Sequence, residues 1–277
     1  MAHRLGISGS VILSDSEKFS QLFKDNLQHI EIGEFADKDS FRSFFNSLQK
    51  TGMSFGLHSP LLRGHSKYDL IEKVNIDPKE AWSQFESEVA EMSRHGAEYI
   101  LVHFPYFKKE TTEDPAEMIE AGLQKLSALQ KKYGIQIVCE PKLGLQRSPA
   151  GINYLDHFSL ETWTKYGLKI CIDIGDYMMA AGDKALSYIR KWAEFVRVVH
   201  LHNVEYHGEK YIWVPVHPSH EHDGQHFKIK EILQFLTKEC QDVIFVLEHT
   251  PHTNPEVKVV DEGIEWVRKI IGKGPVR

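Results

Sequence analysis

Eight short β-like runs recur along the chain at intervals that leave room for a helix between each pair. They read "RLGISGSV", "HIEIGEF", "SFGLHSP", "YILVHFP", "IQIVCEP", "KICIDIGD", "VRVVHLHN" and "VIFVLEHT". The intervening segments carry the helical period instead. In "DPKEAWSQFESEVAEMSRHG", Trp82, Phe85, Val89 and Met92 fall three or four residues apart and Gly96 stands as a stop signal. The same pattern returns in "AEMIEAGLQKLSALQKKYG", "ALSYIRKWAEF", "IKEILQFLTKE" and "VKVVDEGIEWVRKIIG". Strands that alternate with helices in this way are expected to be parallel, joined by crossover helices. An open doubly wound sheet would offer a glycine-rich phosphate fingerprint after its first strand, and "GISGSVILSD" does not match one. Eight regular units favour a closed (β/α)8 barrel, a single α/β domain over residues 1–277. The longest stretch expected to be irregular runs from Asn203 to Gln225, and loops of that length in compact domains are usually functional or disordered.

Bulk composition narrows the class. With 42% hydrophobic and 26% charged residues the chain reads as a soluble globular protein. The net charge is −6 and no Lys/Arg block stands out, which makes nucleic acid an unfavourable partner, because such partners are held through many phosphate contacts. No run of roughly 18 apolar residues and no basic-then-apolar leader is present, so no membrane association and a cytoplasmic location are the expectation. Cys139, Cys171 and Cys240 are widely spaced and suggest neither a disulfide framework nor a zinc ribbon. A homo-oligomer is compatible with all of this. The sixteen histidines are unevenly placed, and they point to where the chemistry lies.

In a barrel of this kind the site is built at the carboxyl ends of the strands. Those ends carry Glu34, His58, His103, Glu140, Asp173 followed by Asp176, His200 with His202, and Glu248 with His249. Each of these is a potential metal ligand. Glu140, Asp173 and Glu248 all follow runs that should be core, where an unpaired carboxylate costs several kcal/mol. No Arg or Lys occupies the same strand-end positions, so the expected counter-charge is a divalent cation. A set of two Glu, one Asp and one His suits Mn, Mg, Co or Zn without strong discrimination among them. His200 and His202 are two apart and face the same side of their strand, so either could be the nitrogen ligand.

These residues resemble the xylose isomerase-like barrel superfamily, which holds sugar isomerases and epimerases together with apurinic-site endonucleases of the endonuclease IV type. The points of similarity are Glu140 of "CEP", Asp173 of "DIG", His200 of "HLHN" and Glu248 of "LEH". The resemblance implies that these four hold a catalytic divalent metal. It also implies that Glu140 and Glu248 double as the acid/base pair of an isomerase or epimerase acting on a sugar, sugar phosphate or polyol ketone through an enediolate. Matching "HLHN" to the family's "HLND"-like run selects His200. The epimerase pattern, with an acid three residues after the histidine as Glu205 follows His202, selects His202; the first match is adopted.

On this reading His58, His103, Lys142, Asp176 and His202 contact a small carbohydrate substrate. Lys142 and Arg147 are placed to meet an anionic group, and Phe104, Tyr106 and Trp213 to wall the site. The endonuclease branch adds histidines at the ends of the third and fourth strands, where His58 and His103 stand. It also needs a histidine where this chain has Asp176, and an Asp-x-His pair where this chain has "HPSHEHDGQH". The alternative is therefore a metal-dependent hydrolase or phosphodiesterase with a di- or trinuclear site drawing on His58, His103, Asp176 and His217. A non-catalytic sensor barrel is a third class, which acids at both Glu140 and Glu248 make the weakest.

Overall fold

A computed structural model describes residues 3–208 and 210–272. Eight parallel strands close into a barrel, and each coincides with one of the β-like runs. They are β1 (Arg4–Ser8), β2 (His29–Ile32), β3 (Ser54–His58), β4 (Tyr99–His103), β5 (Gln136–Glu140), β6 (Lys169–Asp173), β7 (Val196–Leu201) and, after the hairpin described below, β10 (Ile244–Leu247). Neighbours in sequence are neighbours in the sheet, and β1 pairs with β10 to complete the ring. The helices are α1 (Lys38–Leu48), α2 (Pro78–His95), α3 (Pro115–Tyr133), α4 (Ala150–Asp156), α5 (Leu160–Tyr166), α6 (Ile174–Ala181), α7 (Ala185–Trp192), α8 (Lys230–Glu239) and α9 (Val257–Ile271). Among the described residues no helix is long and apolar enough to cross a membrane.

The longest helices begin and end where local chemistry dictates. Asp77 and Asp114 cap α2 and α3 by accepting a backbone N–H, Pro78 and Pro115 follow, and Gly96 and Gly134 close them in the left-handed conformation. The first βα unit departs from the regular plan. Two 3-10 segments, Gly9–Ile12 and Ser16–Leu22, stand in place of a helix. The stretch expected to be irregular after the seventh strand is also more ordered than its sequence suggests. It opens as an antiparallel hairpin of β8 (Asn203–His207) and β9 (Lys210–Val214).

Strand alternation splits each strand between two cores. Residues such as Ile100, Val102, Ile137, Ile170, Ile172, Val199, Phe245 and Leu247 belong to the large cluster between sheet and helices. Tyr99, Leu101, Val138, Cys171, Val198, Ile244 and Val246 form a separate small cluster that fills the barrel. Gly56 makes this filling fit, because a Cβ there would lie 2.4 Å from the Tyr99 ring. Moving two residues further along each inward-facing row, from Tyr99 and Leu101 to His103, Val138 to Glu140, Cys171 to Asp173, Val198 to His200 and Val246 to Glu248, reaches the polar mouth.

The opposite, amino-terminal end of the barrel is held by charge. Arg4 of β1 makes a bidentate pair with Glu98 at 2.6 Å for both bonds, and Arg197 of β7 adds a third at 3.1 Å. The hydrogen-bonded Arg4 guanidinium holds the Glu98 carboxyl down at about 2. A carboxylate depressed in the folded state contributes stability above its unfolded pKa, and that contribution is lost as pH falls through the folded value. Glu98→Gln is therefore expected to lower unfolding stability by on the order of 2 kcal/mol at pH 7, allowing for partial solvent screening. The difference from wild type should shrink between pH 5 and pH 2. Urea denaturation of both proteins across that range checks this, and a gap that stays constant with pH would contradict it.

Candidate active site

The mouth is assembled from inward-facing residues at the ends of seven strands, β2 to β7 and β10, and the loop after β5. Asp173 is fixed first, because it ends β6 and simultaneously caps α6. Its Oδ1 accepts the backbone N–H of Asp176 at 3.0 Å and lies 2.8 Å from His202 Nε2. Its Oδ2 lies 2.7 Å from the Lys142 ammonium. Lys142 also reaches Glu140 Oε1 at 3.0 Å and Asp176 Oδ2 at 2.7 Å, and it is only 6% exposed. This corrects the expectation that no basic side chain shares the strand-end acids. Lys142 lies two residues beyond Glu140, past the strand, and folds back to become their internal counter-cation.

The remaining groups surround His200. Its Nδ1 lies 3.3 Å from Glu140 Oε1 and 3.0 Å from Glu248 Oε2, while its Nε2 lies 2.8 Å from Glu31 Oε1. His58 Nε2 and His103 Nε2 approach Glu140 Oε2 at 3.3 and 3.2 Å, and His58 stands 3.9 Å from Glu248. Of the sequence-assigned residues, Glu140, Asp173, Asp176, His58, His103, Lys142, His200, His202 and Glu248 are thus brought together.

Several assignments are placed elsewhere. Glu34 lies just beyond β2 at positive φ and pairs with Lys67 at 2.9 Å. His217 bonds Ser219 and Glu262 of α9. The Phe104 ring lies over Gly122 of α3, outside the barrel. Arg147 sits over the rings of Tyr206 and Tyr211 of the hairpin. Trp213 does wall the mouth, stacked on His202 at 4.2 Å with Lys142 over its face at 4.8 Å. A Cβ on Gly175 would stand 2.2 Å from the His202 ring, so this position is open only to glycine if His202 is to keep its place.

Two participants escaped the sequence reading. Tyr68 stacks on His103 at 4.8 Å and touches Tyr106 at 4.5 Å. Glu31, fully buried in β2, accepts the Tyr99 hydroxyl at 2.7 Å, and Tyr99 in turn meets His29 at 3.1 Å. Alternation from His29 in "HIEI" was the available signal, since it points Glu31 and not Glu34 into the barrel. A His200 that donates its Nε2–H to Glu31 presents its Nδ1 lone pair to Glu140 and Glu248, which is the tautomer a ligand needs.

Burial opposes ionisation throughout this cluster, and paired charges decide the outcome. Lys142, His200 and His103 hold Glu140 well below the carboxylate range, and Lys142 and His202 do the same for Asp173. Burial and the neighbouring Asp173 push Asp176 up to about 7. Burial lowers His103, whereas Glu140 raises His58 and Asp173 raises His202 against it.

The residues present fit a divalent cation. Glu140 Oε2, Glu248 Oε2 and His200 Nδ1 are buried without a hydrogen-bond partner. Their separations of 3.0 to 3.3 Å from neighbouring donor atoms match the edge of a tetrahedron built on metal–ligand bonds of 2.0–2.1 Å, about 3.3 Å. Ligand atoms lie within 4.8 Å of one another in several groupings at the mouth, among them His58 with His103 and Glu140; Glu31 with His58, His200 and Glu248; Glu140 with Cys171 and His200; and Asp173 with His202 and Glu248. His200 and His202 therefore each belong to a different potential ligand set.

The fold has many solved counterparts. A 3-keto-D-glucoside 4-epimerase from E. coli superposes with a TM-score of 0.66 at 12% identity, covering 96% of this chain and 99% of the other. A D-tagatose 3-epimerase-like protein gives 0.64 at 15% identity over 96% and 98%. Endonuclease IV from Thermus thermophilus gives 0.62 at 14% identity over 98% and 99%. No curated protein matches at the level of sequence. The family model described as xylose isomerase-like TIM barrel matches residues 18–270. With a closed eight-stranded parallel barrel and that match over most of its length, the chain belongs to the xylose isomerase-like TIM barrel family.

Proposed function

We propose that this protein is a divalent-metal-dependent isomerase or epimerase of a sugar, sugar phosphate or polyol ketone, acting by proton transfer next to a carbonyl. The observation that carries this reading is the convergence of Glu140 and Glu248, from strands on different sides of the barrel, on the same His200 nitrogen at 3.3 and 3.0 Å. A cation held by Glu140, Asp173, His200 and Glu248, with His202 as the competing nitrogen ligand, would supply Lewis acidity toward adjacent carbonyl and hydroxyl oxygens.

The chain's own groups do the rest. One glutamate removes the proton from the carbon next to the carbonyl and the other returns it, each acting as a base whose strength is set by the charges around it. Lys142 carries a fixed ammonium in a buried setting, where a hydrogen bond to an oxygen gaining negative charge is worth far more than in water. His58 and His103 are placed to hydrogen-bond substrate hydroxyls. Asp176, pushed up to about 7, can donate or accept at neutral pH. Trp213, stacked on His202 and beside the Lys142 ammonium, closes one side of the mouth and helps to exclude water. Epimerases among the solved counterparts support this class of substrate.

One observation favours a second reading, a metal-dependent phosphodiesterase. His58, His103 and Glu140 form a group beside the one containing Asp173, His202 and Glu248, so the mouth has donors for two ions. Against it, Asp176 is engaged by Lys142 at 2.7 Å.

Solvent deuterium incorporation into a panel of ketoses and cyclic polyol ketones, with Mn²⁺-reconstituted protein, tests the first reading before the true substrate is known. Wash-in at the carbon next to the carbonyl is the expected result. No exchange with any ketone, together with hydrolysis of an abasic-site duplex or a simple phosphodiester, would move the assignment to the second.

A further inference from the structure

The loop "HPSHEHDGQH" is not absorbed by the mouth, yet it gathers its own ligands. His226 is held between two carboxylates. Its Nδ1 lies 2.9 Å from Asp223 Oδ2 and its Nε2 3.3 Å from Glu205 Oε1 of β8. Asp223 is fixed in turn, because its Oδ1 accepts the backbone N–H groups of Gln225 at 3.0 Å and His226 at 2.9 Å. The His220 ring stacks on His226 at 3.8 Å with planes 10° apart, and its Nδ1 is buried without a hydrogen-bond partner.

A neutral imidazole has one N–H to give. If His226 donates it to Glu205, its other nitrogen presents a lone pair to a carboxylate oxygen at hydrogen-bond distance, and two acceptors at that spacing need a positive charge between them. An added proton would satisfy His226 alone and leave His220 Nδ1 orphaned. A metal ion supplies that charge and takes a lone pair from His220 as well, since one ligand atom each from His220, Asp223 and His226 lie within 4.8 Å of one another and a rotation of the stacked rings turns both toward it.

We propose that His220, Asp223 and His226 form a second metal site, separate from the barrel mouth, that takes Zn²⁺ with water as the fourth ligand. Two imidazoles and a carboxylate favour zinc over the hard cations Mg²⁺ and Ca²⁺, which prefer all-oxygen shells. Glu205 then plays the part of the carboxylate that receives the far N–H of a ligating histidine and fixes its tautomer. His217, engaged by Ser219 and Glu262, and the exposed His222 are not members.

The consequence of such a site is mechanical. Glu205 lies on β8, and β8 pairs with β9, where Trp213 stacks on His202. Zinc in the loop ties the hairpin to the segment before α8 and so sets the position of the wall over the mouth. None of the three ligands belongs to the mouth, so the site stands whatever reaction occurs there.

The test uses the full chain, stripped with a chelator and titrated with Zn²⁺ alone against a chromophoric competitor, as wild type, as E140Q/E248Q and as H220A/H226A. The expected result is one zinc per chain retained in E140Q/E248Q, and one zinc per chain fewer in H220A/H226A than in wild type, with the loop site weakened by on the order of a hundredfold. Glu205→Gln should weaken the same site by about tenfold. Zinc should also slow hydrogen exchange across residues 203–226 in E140Q/E248Q and leave that segment unchanged in H220A/H226A. If E140Q/E248Q does not fold, the stoichiometry of wild type minus that of H220A/H226A gives the same count, and Asp223→Asn provides an independent removal of one ligand. Equal zinc stoichiometry in wild type and H220A/H226A, or loop binding too weak to survive the competitor, would mean an adventitious ion only and would overturn the site.

Discussion

Glu140→Gln and Glu248→Gln are each expected to lower solvent exchange into a responsive ketone by about a thousandfold, within the range that a positioned acid or base contributes. Each substitution preserves shape and removes both a base and a negative charge that faces His200. The two should not be equivalent in the metal-free protein. Glu140 also accepts the Lys142 ammonium at 3.0 Å and stands 3.2 to 3.3 Å from His103 and His58, whereas Glu248 is more peripheral to that network. The Glu140 variant should therefore lose more thermal stability than the Glu248 variant, with far-UV circular dichroism unchanged in both. Deuterium exchange measured by mass spectrometry on Mn²⁺-loaded protein is the readout. Full exchange retained in either variant would remove that glutamate from the proton-transfer pair, and with it the reading that the two act together.

The frame of this site is legible in the chain because period-two alternation inside a closed barrel leaves few choices. Once "IQIVCE", "KICID", "VRVVHLH" and "VIFVLE" are strands of one barrel, Glu140, Asp173, His200 and Glu248 must meet at one end. What stays hidden depends on reach and not on period. Lys142 sits past the end of its strand, and nothing in "CEPKLG" says whether a four-carbon stem turns inward or out to solvent. Three acids without a visible partner then suggest a metal alone, when an ammonium already serves Glu140 and Asp173 and leaves Glu248 to His200 and His58. Glu31 is hidden for a different reason. "HIEIGEF" offers two glutamates, and the one nearer the apparent strand end is the more conspicuous, but Glu34 adopts positive φ beyond the strand and pairs with Lys67. The hairpin after β7 is obscured because its polar rim, with exposed Tyr206 and His207, lacks the apolar alternation of a buried strand.

Lys142→Met is expected to show how the ammonium and a metal share this mouth. The lysine is within 2.7 Å of Asp173 and Asp176 and 3.0 Å of Glu140. Removing one partner of a buried ionic group leaves uncompensated charge, at about 3–5 kcal/mol. The metal-free variant should lose stability by that order and lose it unevenly with pH. Asp176 is raised to about 7 even with Lys142 beside it, so without the ammonium it is driven higher still. A carboxyl raised in the folded state favours folding below its unfolded pKa, and that contribution fades as pH climbs through the folded value. The variant should accordingly be most stable near pH 4 to 5 and decline toward pH 8 more steeply than wild type. Added Mn²⁺ should restore the loss, because binding to the folded state alone stabilises it by mass action. Its affinity should rise by at least about tenfold, since the acids no longer have a resident cation. Urea denaturation across pH and isothermal titration with Mn²⁺ decide the matter. Weaker Mn²⁺ binding in Lys142→Met would show instead that the lysine helps build the metal site, and that the acids hold both cations at once.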